Sequence, residues 1–264
     1  PLPARDLALL AEAAREAARI AMRYWRRNPK VWDKGGDHGP VTEADLAVNR
    51  MLEADLCAAR PGYGWLSEES ADGPARLDCE RVFIADPIDG TRAFIAGETA
   101  FAIALAVAEA GRVTAGVIHM PALGHTWAAM AGGPATRDGQ PIRVSHRPGI
   151  ADARLLARKT ALAPEHWPGG VPELHRGFRA SLAYRMALVA EGAEDGMLTV
   201  GPTWEWDVAA GALIAERAGA TVTDLAGRAL RFNAPHPRVA GVLAAAPGLH
   251  AELLPRLQPA TRAM

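Results

Sequence analysis

The residues best equipped for chemistry stand at Asp86-Pro87-Ile88-Asp89-Gly90-Thr91. The carboxylates of Asp86 and Asp89 lie just beyond the apolar, β-branched run Val82-Phe83-Ile84-Ala85. That run reads as a buried strand ended by Asp86-Pro87. Pro87 stiffens the turn and Gly90 permits close approach of the backbone. Strand ends are where α/β folds place ligands. A helix or turn opening at Gly90-Thr91 would offer free N–H groups to a phosphate oxygen. Carboxylates beside an anion cradle make a candidate Mg2+ and phosphate site. The plainer alternative is that Asp86 and Asp89 only cap a turn and a helix.

Other acidic clusters invite the same pair of readings. Ser67-Glu68-Glu69-Ser70 follows Gly64-Trp65-Leu66 and is either a solvated loop or part of a site. In Trp204-Glu205-Trp206-Asp207, Asp207 reads as the N-cap of an apolar helix, or as a hard-metal ligand at a buried helix end. Val41-Thr42-Glu43-Ala44-Asp45 reads as an ordinary acidic first helical turn, or as another contributor. Together the clusters carry more weight than singly, because inward carboxylates repel unless a cation neutralises them. Thiolates are scarce, and His38, His119 and His125 have no ligand spacing. Oxygen ligands imply Mg2+ or a similar hard ion rather than zinc.

These clusters need a scaffold, and the chain has material for one. Its 264 residues permit one large domain or two lobes sharing a core. With 49% apolar and 22% charged residues, general disorder is excluded. The net charge of -1 gives no bulk electrostatic case for nucleic acid or an anionic membrane. Cys57 and Cys79 form no disulfide framework and suit a reducing cytosol, so a cytoplasmic location is expected. No stretch approaches the roughly 18 continuous apolar residues of a membrane helix. The opening Pro1-Leu2-Pro3-Ala4-Arg5 is not expected to act as a secretory signal.

Leu7, Leu10, Ala14, Ala17, Ala21 and Tyr24 predict a first helix ended by Asn28-Pro29. Lys34 to Pro40 reads as loop. A second helix starts with Thr42 as N-cap, turns Ala44, Val48, Met51, Leu52 and Leu56 inward, and closes at Pro61-Gly62. Phe101–Ala108 and Val113–Met120 flank Glu109-Ala110-Gly111-Arg112 as a hairpin, and Asp138-Gly139 marks another turn. Ala161–Gly177 reads as a long loop. Helix Ser181–Ala193, a strand near Met197–Val200 and helix Asp207–Ala218, ended by Gly219, follow. Strands Ala220–Thr223 and Gly241–Ala245 and a helix near Leu249–Leu257 complete the chain. Alternating helices and strands with antiparallel hairpins predict a layered α/β (α+β) sandwich. An N-terminal lobe of about residues 1–148 would carry most metal ligands. A C-terminal lobe of about 149–264 would carry Asp207 and the specificity elements.

Asp86-Pro87-Ile88-Asp89-Gly90-Thr91 and Trp206-Asp207-Val208-Ala209-Ala210-Gly211 resemble the two signatures of the inositol monophosphatase family. The order and spacing of the other clusters also match, so the resemblance covers almost the whole chain. It implies a Mg2+-dependent, lithium-sensitive phosphomonoesterase of layered αβαβα architecture, commonly a dimer, so a homodimer is expected. Carried over by position, Glu68, Asp86, Asp89 and Asp207 would supply metal-ligand side chains, and Ile88 its carbonyl. Gly90 and Thr91 would hold the phosphate. Thr91 and Glu68 would also place the attacking water, with Asp45 orienting it through Thr91. Lys34 matches a lysine at that spacing in the family and is expected to contact the substrate, as Arg185 and Trp204 would. Two, or at most three, Mg2+ ions per site would follow.

The family spans inositol phosphates, 3'-phosphoadenosine 5'-phosphate, histidinol phosphate and fructose 1,6-bisphosphate as substrates. No acid precedes Gly201 here, where inositol-specific members usually have a glutamate. The Gly201-Pro202-Thr203 step looks more like bacterial 3'(2'),5'-bisphosphate nucleotidases, as does Leu188-Val189-Ala190-Glu191-Gly192. Ser67 departs from the family glycine before the acid pair. Arg185 either replaces a nucleotidase lysine from a shifted position or is a surface arginine. Trp204 or Tyr184 either stacks on a purine or belongs to the core or rim. The expected activity is therefore bisphosphate nucleotidase, with inositol-1-monophosphatase or a histidinol-phosphate or other sugar phosphatase as alternatives. A non-catalytic protein binding a phosphorylated metabolite is the remote rival, disfavoured because the expected carboxylates and Thr91 are all present.

Overall fold

Apolar residues in the strands alternate between two partners, and that alternation builds the architecture. The computed structural model describes residues 2–35 and 39–257. Its first half runs α1 (Leu2–Tyr24), β1 (Val31–Asp33), β2 (Pro40–Thr42), α2 (Glu43–Ala59), β3 (Gly64–Ser67), β4 (Arg81–Asp89) and α3 (Thr91–Ile95). Then come β5 (Ala102–Glu109), β6 (Arg112–Met120), β7 (His125–Met130), β8 (Thr136–Arg137) and β9 (Gln140–Pro141). The second half holds β10 (Arg154–Ala157), β11 (His175–Gly177), α4 (Leu182–Ala190), β12 (Gly196–Trp204) and α5 (Glu205–Ala218). It ends with β13 (Thr221–Thr223), β14 (Arg238–Ala245) and α6 (Pro247–Leu253).

β3 to β9 form a seven-stranded sheet in chain order, parallel only between β3 and β4. A five-stranded sheet has the order β11-β10-β12-β14-β13. On the first sheet, Phe83, Ala85, Ile103, Leu105 and Val107 pack with Leu10, Ala14, Val48 and Leu52 of α1 and α2. Their neighbours Val82, Ile84, Ala104 and Ala106 face the other way, toward Ala187, Val189, Ala209 and Ile214 of α4 and α5. On the second sheet Met197, Val242 and Ala244 join that same middle layer. Leu155, Leu198 and Leu243 turn instead to Leu249 and Leu253 of α6. The layers are therefore α, β, α, β, α, the architecture expected from the resemblance.

The middle layer is thin because it is built from small residues. A Cβ on Gly116 would lie 3.1 Å from Ala210 Cα, and one on Gly211 would lie 2.6 Å from Met186 Cβ. Ala110 and Gly111, at φ 50° and 77°, make the tight β5–β6 turn, and Asp138-Gly139 repeats it at 51° and 79°.

Several elements differ from expectation. β4 does not end at Asp86-Pro87 but continues to Asp89 through a bulge. The expected loop 161–177 instead contains the end of a 3-10 turn at Lys159–Leu162, a second at Pro164–His166, and then strand β11, paired in parallel with β10. Helix α4 stops at Ala190, with Gly192 at φ 75° beyond it. The last helix gives way to a 3-10 turn at Leu254–Arg256. His38 lies outside the described residues. Among the described residues no helix is long and apolar enough to cross a membrane.

Candidate active site

The β4 bulge solves a parity problem. Residues three apart on a regular strand point to opposite faces. Asp86 pairs with Ala104 and Asp89 with Ala102, so β4 carries an extra residue there. Both carboxylates thereby reach the same place. Oxygens of Asp86, Asp89 and Asp207 lie within 4.8 Å of one another. Asp207 arrives on α5, as its third residue rather than its N-cap, which is Trp204. A carboxylate in a first helical turn is favoured by the free N–H groups there.

The environment of this cluster is hostile to repeated negative charge. Burial first, then Glu68, Asp89 and Asp207, push the Asp86 carboxyl well above the usual range. Burial, then Asp89 and Glu68, do the same to Asp207. Burial also raises Asp89, against hydrogen bonds from Ser181 and the Ala183 N–H. All donors are oxygens, and free Cys57 and Cys79 are not among them. This set fits a hard divalent cation.

Around the cluster the other expected residues take up defined posts. The Ile88 N–H donates to Asp86 Oδ1 at 3.0 Å, and the Ile88 carbonyl accepts the Thr91 hydroxyl at 3.1 Å. Gly90, at φ 95°, precedes α3, and a Cβ there would meet the Ala100 carbonyl oxygen at 2.9 Å. Only glycine fits that approach. Asp45 closes a capping box with Thr42, and its Oδ1 accepts the Thr91 hydroxyl at 3.3 Å. Burial lifts the Asp45 carboxyl to about 6.

Glu68 is not one of the three clustered carboxylates, yet its charge acts on Asp86 more strongly than that of Asp89 or Asp207. Its Oε1 receives Lys34 Nζ at 2.7 Å, and Glu69 Oε1 receives the same ammonium at 2.8 Å. Burial raises Glu68 to about 7, against the pull of Lys34. Burial pulls Lys34 down, but Glu68 and Glu69 outweigh it and its pKa rises. Lys34 is thus the counter-ion of the acid pair.

Beside Asp89 and Asp207 opens a cavity of about 520 Å³. Its wall includes Arg158, Arg185 and Arg238, with Thr199, Gly201-Pro202-Thr203 and Trp204. Arg185 is no surface residue: it is 1% exposed, donates Nε–H to the Arg179 carbonyl at 2.6 Å and lies over Phe178. Burial lowers its pKa to about 10, which leaves it a cation at neutral pH. Trp204 stacks on Trp206 at 4.6 Å, and the Arg238 guanidinium sits 3.8 Å from its ring centre. Trp206 and Arg238 thus already occupy stacking positions on the Trp204 ring. Tyr184 packs beside Trp127 and is not on the cavity wall. Sequence reasoning missed Arg158 and Arg238. Arg158 follows the apolar strand β10, the kind of strand-end position that flagged Asp86.

A buried acidic cluster beside an arginine-lined cavity sits within an αβαβα sandwich, an arrangement that fits a divalent cation next to an anionic ligand. The sequence profile of the inositol monophosphatase family matches residues 4–262. An inositol-1-monophosphatase of Mesorhizobium japonicum is 34% identical over 84% of this chain and 86% of its own length. The 3'(2'),5'-bisphosphate nucleotidase CysQ of Aggregatibacter actinomycetemcomitans is 32% identical over 84% of this chain and 85% of its own. The solved structure of the extragenic suppressor protein suhB from Bartonella henselae superposes with a TM-score of 0.83. It is 27% identical and covers 97% of this chain and 100% of its own. The chain belongs to the inositol monophosphatase family and is a phosphoric monoester hydrolase.

Proposed function

We propose that the chain is a Mg2+-dependent phosphatase of a small metabolite bearing a second anionic group, specifically a 3'(2'),5'-bisphosphate nucleotidase. The carrying observation is the cavity wall of Arg158, Arg185 and Arg238 next to Asp89 and Asp207. A neutral polyol ring offers guanidiniums only uncharged hydroxyl acceptors, whereas a second phosphate meets them with stronger charge-assisted, bidentate hydrogen bonds.

On this reading Asp86, Asp89 and Asp207 hold the cation, joined by Glu68 and the Ile88 carbonyl. The bound cation supplies a nucleophilic water near neutral pH and takes up charge on the leaving oxygen. Thr91, tied to Asp45 and to the Ile88 carbonyl, orients the attacking water. Glu68 accepts its proton once Lys34 lets go. Gly90 keeps the backbone close enough to the phosphate for N–H contact. The reading also takes the enzyme to be a cytoplasmic homodimer, which light scattering and cell fractionation check.

The stacking of Trp206 and Arg238 on Trp204 favours a second reading, a sugar phosphate with another anionic group, because a purine would compete with Arg238 for that ring. The test is phosphate release with Mg2+, with and without lithium. The panel is 3'-phosphoadenosine 5'-phosphate, fructose 1,6-bisphosphate, histidinol phosphate and inositol 1-phosphate. Preference for the first supports the nucleotidase; preference for the second selects the sugar reading. Preference for inositol 1-phosphate removes the proposed role of the arginines.

A further inference from the structure

Asp45, Asn49 and Glu53 recur every fourth residue along α2 and share one face. A separate face of the same helix, with Ala44, Val48, Leu52 and Leu56 buried, already anchors it to the sheet. The polar face, where Asp45 and Asn49 are buried too, therefore adds directed hydrogen bonds to that anchorage. Asp45 holds the Thr91 hydroxyl. Asn49, 4% exposed, accepts the Ser67 hydroxyl on Oδ1 at 2.6 Å. Its Nδ2 donates to the Glu69 carbonyl at 3.3 Å and to Ser70 Oγ at 2.9 Å. Ser70 Oγ also accepts Trp65 Nε1–H at 2.9 Å and donates to Glu53 at 3.1 Å. Glu68 thus sits inside a four-residue segment, Ser67–Ser70, clamped on both sides by one amide.

We infer that Asn49, acting through Ser67 and the Glu69 carbonyl, is a positioning residue that aims Glu68 and so sets the affinity of the cation site. The inference rests on the reading that Glu68 joins the aspartates around a cation. The geometry carries it. Glu68 lies just past the end of β3, where its N–H reaches the Ala85 carbonyl only at 3.3 Å. The ladder alone leaves this residue loosely held. The Ser67–Asn49 bond is short and lies in a dry setting, where such a bond fixes geometry strongly. Groups that orient a ligand typically change metal affinity by about 10-fold to 100-fold when removed.

The test compares the wild-type protein with Asn49→Leu, Ser67→Ala and the double variant. The readouts are the Mg2+ dissociation constant by calorimetry, the melting temperature without metal, and kcat and KM at saturating Mg2+. Each single variant is expected to bind Mg2+ about tenfold more weakly. The double is expected to be no weaker than the worse single, because both break the same link. Substrate KM at saturating Mg2+ stays within about twofold. A merely structural Asn49 would lower the melting temperature and leave the Mg2+ constant alone, and that result overturns the inference. Independent, multiplying effects overturn it too. If Asn49→Leu does not fold, Ser67→Ala, which deletes one oxygen, carries the test. A wild-type protein that binds no divalent cation overturns the functional reading itself. Normal wild-type binding with unchanged variants overturns only the positioning role.

Discussion

Asp89 and Ser181 are joined across the two halves of the chain: Asp89 Oδ2 accepts the Ser181 hydroxyl at 2.6 Å and the Ala183 N–H at 2.6 Å. Ser181 is also the N-cap of α4, accepting the Tyr184 N–H at 2.9 Å. One hydroxyl therefore starts the helix that carries Arg185 and turns the carboxylate of the metal cluster. Ser181→Ala is expected to destabilise the protein by about 1 kcal/mol, the usual loss for an N-cap. It is also expected to lower kcat about tenfold, because Asp89 loses an orienting partner. Thermal melts and steady-state rates check this; a stability loss with an unchanged kcat would separate the cap from the site.

Asp89→Asn keeps the volume and the hydrogen-bond acceptor for α4 but removes a charge from the cluster. Mg2+-dependent turnover is expected to vanish in a protein that melts no lower than wild type. Removing a like charge from a buried acidic cluster relieves repulsion in the metal-free state. Near-normal activity in this folded variant would overturn the assignment of Asp89 as a cation ligand.

Lys34 holds Glu68 and Glu69 at 2.7 and 2.8 Å, so a cation that recruits Glu68 competes with the ammonium. Lys34→Met is expected to tighten Mg2+ binding about fivefold, an ion pair at a partly exposed place being worth roughly 1 kcal/mol. The same variant is expected to melt lower without metal, since the acid pair loses its counter-ion. Calorimetric titration decides it. Weaker Mg2+ binding would mean that Lys34 supports the loaded site instead.

How legible this was depends on the range of the interactions. The Thr42 N-cap was readable because its bonds are local, as were the β5–β6 turn and the Gly219 stop of α5, whereas the return bond from Asp45 that closes the capping box came from the structure. The β4 bulge was not: Asp86-Pro87 reads as a break, and only pairing with β5 keeps the strand going. β11 is a three-residue strand that exists because β10 pairs with it. The acidic residues were visible because each adjoins an apolar run. The cavity arginines come from β14, α4 and the segment just after β10, and no local pattern joins them. Arg185 was ambiguous for the same reason, since its burial depends on Arg179 and Phe178 folding over it.

Protonation and metal binding compete at this site. Without metal, folded pKa values are raised to about 6 for Asp45 and about 7 for Glu68, and Asp86 and Asp207 stand higher than usual. Unfolded carboxyls titrate near 4. Between about pH 4 and 7 the folded, metal-free protein binds more protons than the unfolded chain, so these groups make stability fall as pH rises. Mg2+ replaces those protons, and binding releases them. The Mg2+-induced rise in melting temperature is expected to be small at pH 5.5 and larger at pH 8. A shift as large at pH 5.5 would contradict competition for the same carboxylates.

The cavity arginines make the sharpest claim about substrate. A hydrogen bond to a charged group contributes about 1.5–3 kcal/mol, which corresponds to a loss of roughly 10-fold to 100-fold when it is removed. Arg158→Met and Arg185→Met are each expected to raise KM for the preferred bisphosphate by that range. KM for inositol 1-phosphate should change less than about threefold, because its only phosphate occupies the metal cluster. Arg185 is buried and bonded to the Arg179 carbonyl, so its variant also risks a stability loss. Arg158 is exposed at the end of β10 and carries the comparison free of that effect. Equal losses on both substrates would place the arginines at the reacting phosphate. No loss on either would leave the cavity's charge without a role in binding and return the choice to the inositol phosphate reading.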